Sequence, residues 1–265
     1  NINMLTQNKK RLFEQKKSEY TFRSLNSIIV SLKKAQESFP EIKLNIFVVD
    51  YNSKNNDLNQ IRKQLNKSKI INSIISLNID EFALYIKKVN EKNERVTENQ
   101  MSNMSNIHKS FLIAKKHCDD LIYFVEDDYI HNQESMKEMI ITYERISSQI
   151  NKEIILCPAD YPYLYTKIDN TNIFLGFNRH WRKVDETLCT FFTSKKMLEK
   201  HWDKFISMCQ FEHYPFEKPL HDIYKSEYCF SPIPSLALHC TNVNSIFGLS
   251  PNMNWNEVWE ENKNY

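Results

Sequence analysis

A mixed α/β fold, with a mainly parallel central sheet flanked by helices and an irregular C-terminal third, is what this 265-residue sequence predicts. Three observations carry that expectation. Apolar runs of strand length alternate with helical patterns over residues 1–130, two of those runs end in acids, and the last hydrophobic segment is interrupted by Pro232 and Pro234. Strands alternating with helices are the pattern of parallel strands joined by crossover helices. The length suits one domain, and 41% hydrophobic residues supply a sizeable core.

The elements follow in order. Ile2 to Thr6 alternates like a short first strand. From Tyr20 to Gln36, Phe22, Leu25, Ile28, Ile29 and Leu32 recur at three- and four-residue steps, which predicts an amphipathic helix that stops before Pro40. Leu44 to Asp50 (LNIFVVD) is a buried-strand pattern ending in an acid. A helix around Leu58–Asn66, a strand around Ile70–Leu77, a helix around Met101–His117 and a strand at Leu121–Val125 continue the alternation. The charged stretch from Ile79 to Gln100 reads as a loop with a short helix, suited to act as a lid. Beyond Asp128 come a helix (Gln133–Ile150), a strand (Glu153–Cys157), a Pro/Tyr-rich loop and a strand-helix unit from Trp181 to Phe205. Cys229 to His239, with its two prolines, is expected at a sheet edge or in extended loop.

Composition excludes several functions. Only two glycines are present, Gly176 and Gly248, where average usage of roughly 7% would give about 18. No Walker-type loop and no G-x-G-x-x-G fingerprint can be written with them, so a nucleotide would have to be held without a glycine-built cradle. With 35 basic and 33 acidic residues the net charge of +2 gives no nucleic-acid stripe. Six dispersed cysteines without a C-x-x-C pair read as reduced thiols of a cytoplasmic protein. No apolar run approaches the ~18 residues of a membrane span, which leaves peripheral attachment at the inner face of a membrane open.

The chemistry concentrates in Leu121–Tyr129, LIYFVEDDY, which delivers Glu126, Asp127 and Asp128 to the end of a strand in mid-chain. Open α/β sheets bind ligands at that edge. Adjacent carboxylates there repel one another unless a cation neutralises them, and a hard divalent ion would also bridge to phosphate oxygens. The plainer reading has the acids capping the next helix. Asp160 could bond sugar hydroxyls, Trp181 could stack on a pyranose and Arg182 could pair with hydroxyls or phosphate, although a tryptophan at a strand start is more often core. Glu212, His213, Glu217 and His221 lack the H-E-x-x-H spacing of a zinc site.

This order of elements, with Asp50 and the Glu126-Asp127-Asp128 triplet at strand ends, resembles the GT-A-fold glycosyltransferases, Rossmann-like enzymes, and is close to their family 2-like group. The triplet is similar to that fold's DXD motif. The EDDY strand with His180-Trp181-Arg182 also resembles an uncharacterised bacterial group associated with surface-polysaccharide genes. The resemblance implies a single catalytic domain over 1–265, whose 1–130 half holds a UDP- or GDP-linked sugar and whose 131–265 half holds a glycan or lipid-linked glycan acceptor. It implies Thr6, Asn8, Asp50, Glu126 and Asp127 at the donor, and Mn²⁺ or Mg²⁺ on Asp128 and His239. Asp222, opening a helix at Pro219-Leu220-His221-Asp222, would be the base of an inverting transfer, with Glu217 its nearest rival. The alternatives are a retaining enzyme of the same fold, a non-catalytic carbohydrate-binding domain of a larger polymerase, and a nucleotidyltransferase, which the lack of glycine disfavours. The chain starts almost inside its first strand, which leaves open whether flanking domains accompany it.

Overall fold

The computed structural model describes residues 1–4, 10–263 and 265. Helix α1 (Lys17–Ser38) buries Phe22, Ile29, Leu32 and Ala35, one stripe of the predicted pattern, and stops before Pro40. Strand β1 (Asn45–Asp50), helix α2 (Asn55–Ser68) and strand β2 (Ile71–Ser76) form a crossover unit, with β1 and β2 parallel from Asn45↔Ile71 to Asp50↔Ser76. A 3-10 turn (Ile79–Phe82) leads to α3 (Glu98–His117). Thr97 and Gln100 start that helix with a reciprocal capping box: the Gln100 N–H donates to Thr97 Oγ1 at 3.3 Å and the Thr97 N–H donates to Gln100 Oε1 at 2.8 Å.

Strands β3 (Leu121–Phe124) and β4 (Tyr129–His131) flank the acidic triplet, followed by α4 (Ser135–Ile150), β5 (Ile154–Leu156) and a 3-10 turn at Pro162–Tyr165. Three further strands, β6 (Ile173–Leu175), β7 (His180–Val184) and β8 (Phe191–Ser194), precede helices α5 (Lys195–Lys200), α6 (Trp202–Gln210) and α7 (Lys218–Tyr224). Strands β9 (Tyr228–Ile233) and β10 (Ala237–His239) and helix α8 (Trp255–Glu261) complete the chain. Among the described residues no helix is long and apolar enough to cross a membrane.

The α/β class is observed, but the sheet is not mainly parallel. Its order is β3-β8-β5-β9-β7-β6, and β5 with β9 is its parallel pair while the other neighbours run antiparallel. The reason the pattern misleads lies in burial. Ile154 and Leu156 point to one core with Trp181, Phe192 and Phe230, whereas Ile155 points to another with Phe111, Phe191, Phe205 and Cys229. Both faces of the sheet are covered, and two covered faces produce the continuous apolar runs that usually accompany parallel strands.

Two local expectations also change. The first part of the segment Cys229–His239 is not at an edge, since β9 lies between β5 and β7, while β10 forms a two-stranded ribbon with β4. Pro232 is accommodated because the pairing of β9 with β5 ends at Phe230, so its missing N–H breaks no bond on that side. At the N-terminus Ile2 and Asn3 form a turn, and the rest of the expected first strand, Leu5 and Thr6, lies outside the described residues.

Trp181 belongs to this core and not to a sugar site. It is 0% exposed, and its Nε1–H donates to Glu138 Oε1 at 3.2 Å, so neither ring face is free. Glu138, itself buried, also accepts the N–H groups of Phe177 (3.1 Å) and Asn178 (2.8 Å). Gly176 is required beside it, since a Cβ there would collide with the Trp181 indole. Trp181→Ala should therefore cost about 3–5 kcal/mol, to be read as a lowered midpoint in urea denaturation.

Candidate acidic site beyond strand β3

β3 ends at Phe124, and the chain turns through Glu126, Asp127 and Asp128 before pairing β4 with β10. That antiparallel pairing sets His239 opposite Tyr129 and lets the Cys240 N–H donate to the Asp128 carbonyl at 3.0 Å. His239 Nε2 comes 3.5 Å from Asp128 Oδ2, while its ring stacks on Tyr129 at 4.8 Å between centroids. On its other side His239 Nδ1–H donates to the Phe247 carbonyl at 2.8 Å. A carbonyl only accepts, so Nδ1 carries a proton and Nε2 is the nitrogen turned toward the acid.

The three acids answer their mutual repulsion differently. Burial opposes the charge of Asp128, but His239, with help from Thr241 and Lys17, outweighs it and brings the carboxyl down to about 2. Burial likewise disfavours the imidazolium of His239, and Asp128 more than compensates, raising its pKa. Glu126 is pushed up to about 8, first by burial and then by the charge of Asp128, with Glu217 and Asp127 adding and His239 opposing. The Glu126 N–H donates to Thr190 Oγ1 at 3.0 Å, and that hydroxyl donates back to Glu126 Oε2 at 3.3 Å. Asp127 turns to the start of α1, where Lys17 Nζ lies 2.9 Å away and the Thr21 hydroxyl donates at 3.0 Å.

Asp50 ends β1 as expected, but its carboxylate closes its own turn. Oδ2 accepts the Ser53 N–H at 3.0 Å and Oδ1 accepts the Ser53 hydroxyl, while the Ile2 N–H donates to Ser53 Oγ at 3.0 Å. The Asn1 side chain joins the same turn, its Nδ2–H donating to the Asn52 carbonyl at 2.9 Å. Thr6 and Asn8 lie outside the described residues.

Asp222 is elsewhere. It is half-exposed and paired with Lys225, under the further influence of Lys204 and Lys218. The carboxylate that α7 sends toward the triplet is Glu217, at its N-cap, which lies 3.9 Å from Cys189 Sγ and acts on Glu126 through its charge. Five residues along a helix turn a side chain about 140° about the axis, so the two acids face different ways. Asp160 and Arg182 are likewise engaged within the fold. Arg182 bonds Asp160, the Tyr165 hydroxyl donates to Asp160 Oδ2 at 2.5 Å, and the guanidinium lies 4.4 Å over the Tyr165 ring.

No cluster of three or more His, Cys, Asp or Glu side chains among the described residues is arranged as a metal centre. The four residues with imperfect zinc spacing disperse: Glu212 bonds Asn90 and Gln100, His213 bonds Glu91, and His221 bonds Thr187. Asp128 and His239 nevertheless form a donor pair with the right chemistry for one ion, an anionic oxygen beside an imidazole whose second nitrogen is held by a carbonyl. Tyr129, next to Asp128 in the motif, and Lys17 and Thr190 are the site's further neighbours, and the link of the last two to the triplet is spatial, with no spacing to announce it.

No model of a known protein family matches the chain, nor does any curated protein sequence.

The pair has a pH signature. Asp128, with its pKa lowered to about 2, stabilises the fold above the ordinary carboxylate range and loses that contribution as pH falls from about 4 toward 2. His239, raised, contributes fully below its ordinary value of about 6.5 and loses it as pH rises through its folded pKa. Asp128→Asn should thus destabilise most between about pH 4 and 6.5. Glu126 has the opposite effect: between the ordinary glutamate value and about 8 the folded chain holds a proton that the unfolded chain releases, so its contribution to stability falls as pH rises through that window. Glu126→Gln should raise the melting temperature without added metal, by a margin that widens up to about pH 8. A thermal-shift series across pH reads both, and pH-independent differences would remove the electrostatic account.

Proposed function

We propose that the chain is a metal-dependent glycosyltransferase that moves a sugar from a UDP- or GDP-linked donor to a hydroxyl of a glycan or lipid-linked glycan, in surface-polysaccharide synthesis at the cytoplasmic side. The observation that supports this reading is the concentration of Asp128, Glu217 and His239 about Glu126 beyond the end of β3, with the His239 Nε2 turned to Asp128 by the Phe247 carbonyl. Such a set is poorly balanced alone and becomes balanced when cationic charge is added. Mn²⁺ or Mg²⁺ held by Asp128 and His239 would supply Lewis-acid stabilisation of the diphosphate as it leaves.

The chain's own residues do the rest. Lys17, beside Asp127, places a positive charge at the edge of the same space and suits a phosphate oxygen. Asp50 shapes the β1 turn against which a nucleoside would lie and acts there as a frame for the binding site. Glu217 takes the role expected of Asp222: a carboxylate near the triplet can accept the proton of the acceptor hydroxyl as it attacks the anomeric carbon. Inversion follows if that attack comes from the face opposite the diphosphate.

Titration calorimetry with UDP and GDP, with and without Mn²⁺, tests the donor assignment. Mn²⁺-dependent binding of one of them in the wild type and its loss in Asp128→Asn is the expected result; equal affinity in both proteins would reject the site. Once a donor is found, Glu217→Gln should lower kcat roughly 10²- to 10⁴-fold with donor affinity kept, and Asp222→Asn should turn over near normally. The reverse outcome would return the proton transfer to Asp222.

A further inference from the structure

The charged stretch between the 3-10 turn Ile79–Phe82 and α3 folds as a hairpin that is fastened to the chain leading into α7. Val89 bridges Arg95 antiparallel, the Asn90 N–H donates to the Glu94 carbonyl and the Val96 N–H to the Lys88 carbonyl, each at 3.0 Å. The first arm then bonds the segment that leaves α6. The Lys87 N–H donates to the Gln210 carbonyl at 2.8 Å and the Glu91 N–H to the Glu212 carbonyl at 3.2 Å. Asn90, buried at this junction, donates through Nδ2 to Glu212 Oε2 at 3.2 Å and to the Tyr214 hydroxyl at 2.9 Å.

One side chain of the hairpin reaches on to the start of α7. The Glu91 carboxylate takes Lys218 Nζ at 2.8 Å and His213 Nδ1 at 3.1 Å on Oε1, and the Tyr214 N–H at 3.2 Å on Oε2. Lys218 first, and then His213, bring its carboxyl down to about 2, so it keeps its charge in mildly acidic solution. A single exposed ion pair contributes little, but one carboxylate shared by donors on both sides of a turn restricts that turn. Between the anchored ends lie Pro215, Phe216 and Glu217. The Lys218 N–H closes on the Pro215 carbonyl at 3.1 Å and Phe216 packs against the core, which fixes the backbone that carries Glu217 toward Cys189 and Glu126.

We propose that Glu91 is a positioning residue for Glu217, with the hairpin as the strap that carries it. The role rests on the reading of Glu217 as the base, since only then does its placement govern a reaction. His213 makes the strap sensitive to pH. Its Nε2 lies 3.3 Å from the Ser207 carbonyl and its Nδ1 3.1 Å from Glu91, and both partners are acceptors, so the ring makes both bonds only with a proton on each nitrogen. The charged groups around it are Glu91, Lys218 and Glu212, with Glu94 bonded to Asn90, Lys87 over the Phe211 ring and Lys92 over the Tyr214 ring. A neutral ring gives up one of its two bonds, so the strap is tightest while the ring holds both protons.

Hydrogen exchange of the whole chain tests the strap. In Glu91→Gln, and separately in Lys218→Gln, the backbone of 214–221 should exchange at least about tenfold faster than in the wild type with the melting temperature kept, because local opening responds to a cluster that global stability hardly feels. If one variant melts lower, the other is read in its place. Wild-type protection, corrected for the intrinsic exchange rate, should fall as pH rises and His213 loses a ring proton, followed by its own NMR signals, and Glu91→Gln should lack that step. Wild-type exchange in both variants overturns the proposal. Once a donor and an acceptor are found, Glu91→Gln should lower kcat about tenfold to 10²-fold with donor KM kept, and Glu91→Gln combined with Glu217→Gln should be no slower than Glu217→Gln alone. Losses that add overturn the positioning role. Normal turnover of Glu217→Gln by itself would reject the base assignment instead, and the exchange comparison would still decide the strap.

Discussion

Repulsion among the carboxylates gathered beyond β3 is the constraint to which the surrounding structure is fitted. The charges of Asp127, Asp128 and Glu217 all act on Glu126, which is buried where water screens them poorly. The three of the triplet find different answers. Asp127 leans to Lys17 and Thr21 on α1, Asp128 to His239, and Glu126 to the Thr190 hydroxyl with its proton retained to about 8. Negative charge is dealt out among partners from α1, β8 and β10, which ties three remote stretches of chain to one short loop.

That distribution depends on strand pairing. β3 pairs antiparallel with β8 from Leu121↔Ser194 to Phe124↔Phe191, and just past that register the Thr190 hydroxyl accepts the N–H of Glu126. β4 and β10 add a separate short ribbon whose register sets His239 on Tyr129. A slip of one residue in either pairing would turn its polar side chain to the opposite face and replace it with an apolar one. The cores on the two faces of the six-stranded sheet hold these registers, because Phe191 and Phe192 must enter opposite cores at once. Packing of neutral aromatic side chains thus determines where the charges stand.

Much of this was legible in the sequence where the signal is local. The helix over Tyr20–Gln36, the LNIFVVD strand and the LIYF strand with its acids are short-range patterns, and the structure has α1, β1 and β3 there with ends within a few residues. His239 after an apolar run also stands beside Asp128, as the resemblance implied. Strand direction was not legible, because a continuous apolar run reports two covered faces and is silent on the partner's direction. Glu217 and Asp222 share a helix terminus in sequence, and only the phase of α7 separates an acid facing the triplet from one facing Lys225. Trp181 and Arg182 have the composition of a sugar site, yet Glu138 and Asp160 were waiting for them inside the fold. Residues that carry both an apolar body and a polar tip are ambiguous in this way until their partners are known.

The scarcity of glycine completes the physical picture. Among the described residues the left-handed backbone positions are taken by Asn52, Asn93, Asn151, Asn242 and Asn252, with Glu14 and Lys69, and by neither glycine. Asparagine tolerates that region because its short amide side chain can bond the local backbone. Asn52 sits in the Asp50–Ser53 turn, and Asn242 follows β10 shortly after His239, beside the acidic space. A Cβ at such positions keeps a bound group farther from the backbone than glycine would. On the proposed function, recognition of a diphosphate would therefore fall to side-chain cations and to an ion on Asp128 and His239, for which the acids crowded beyond β3 would be the complement.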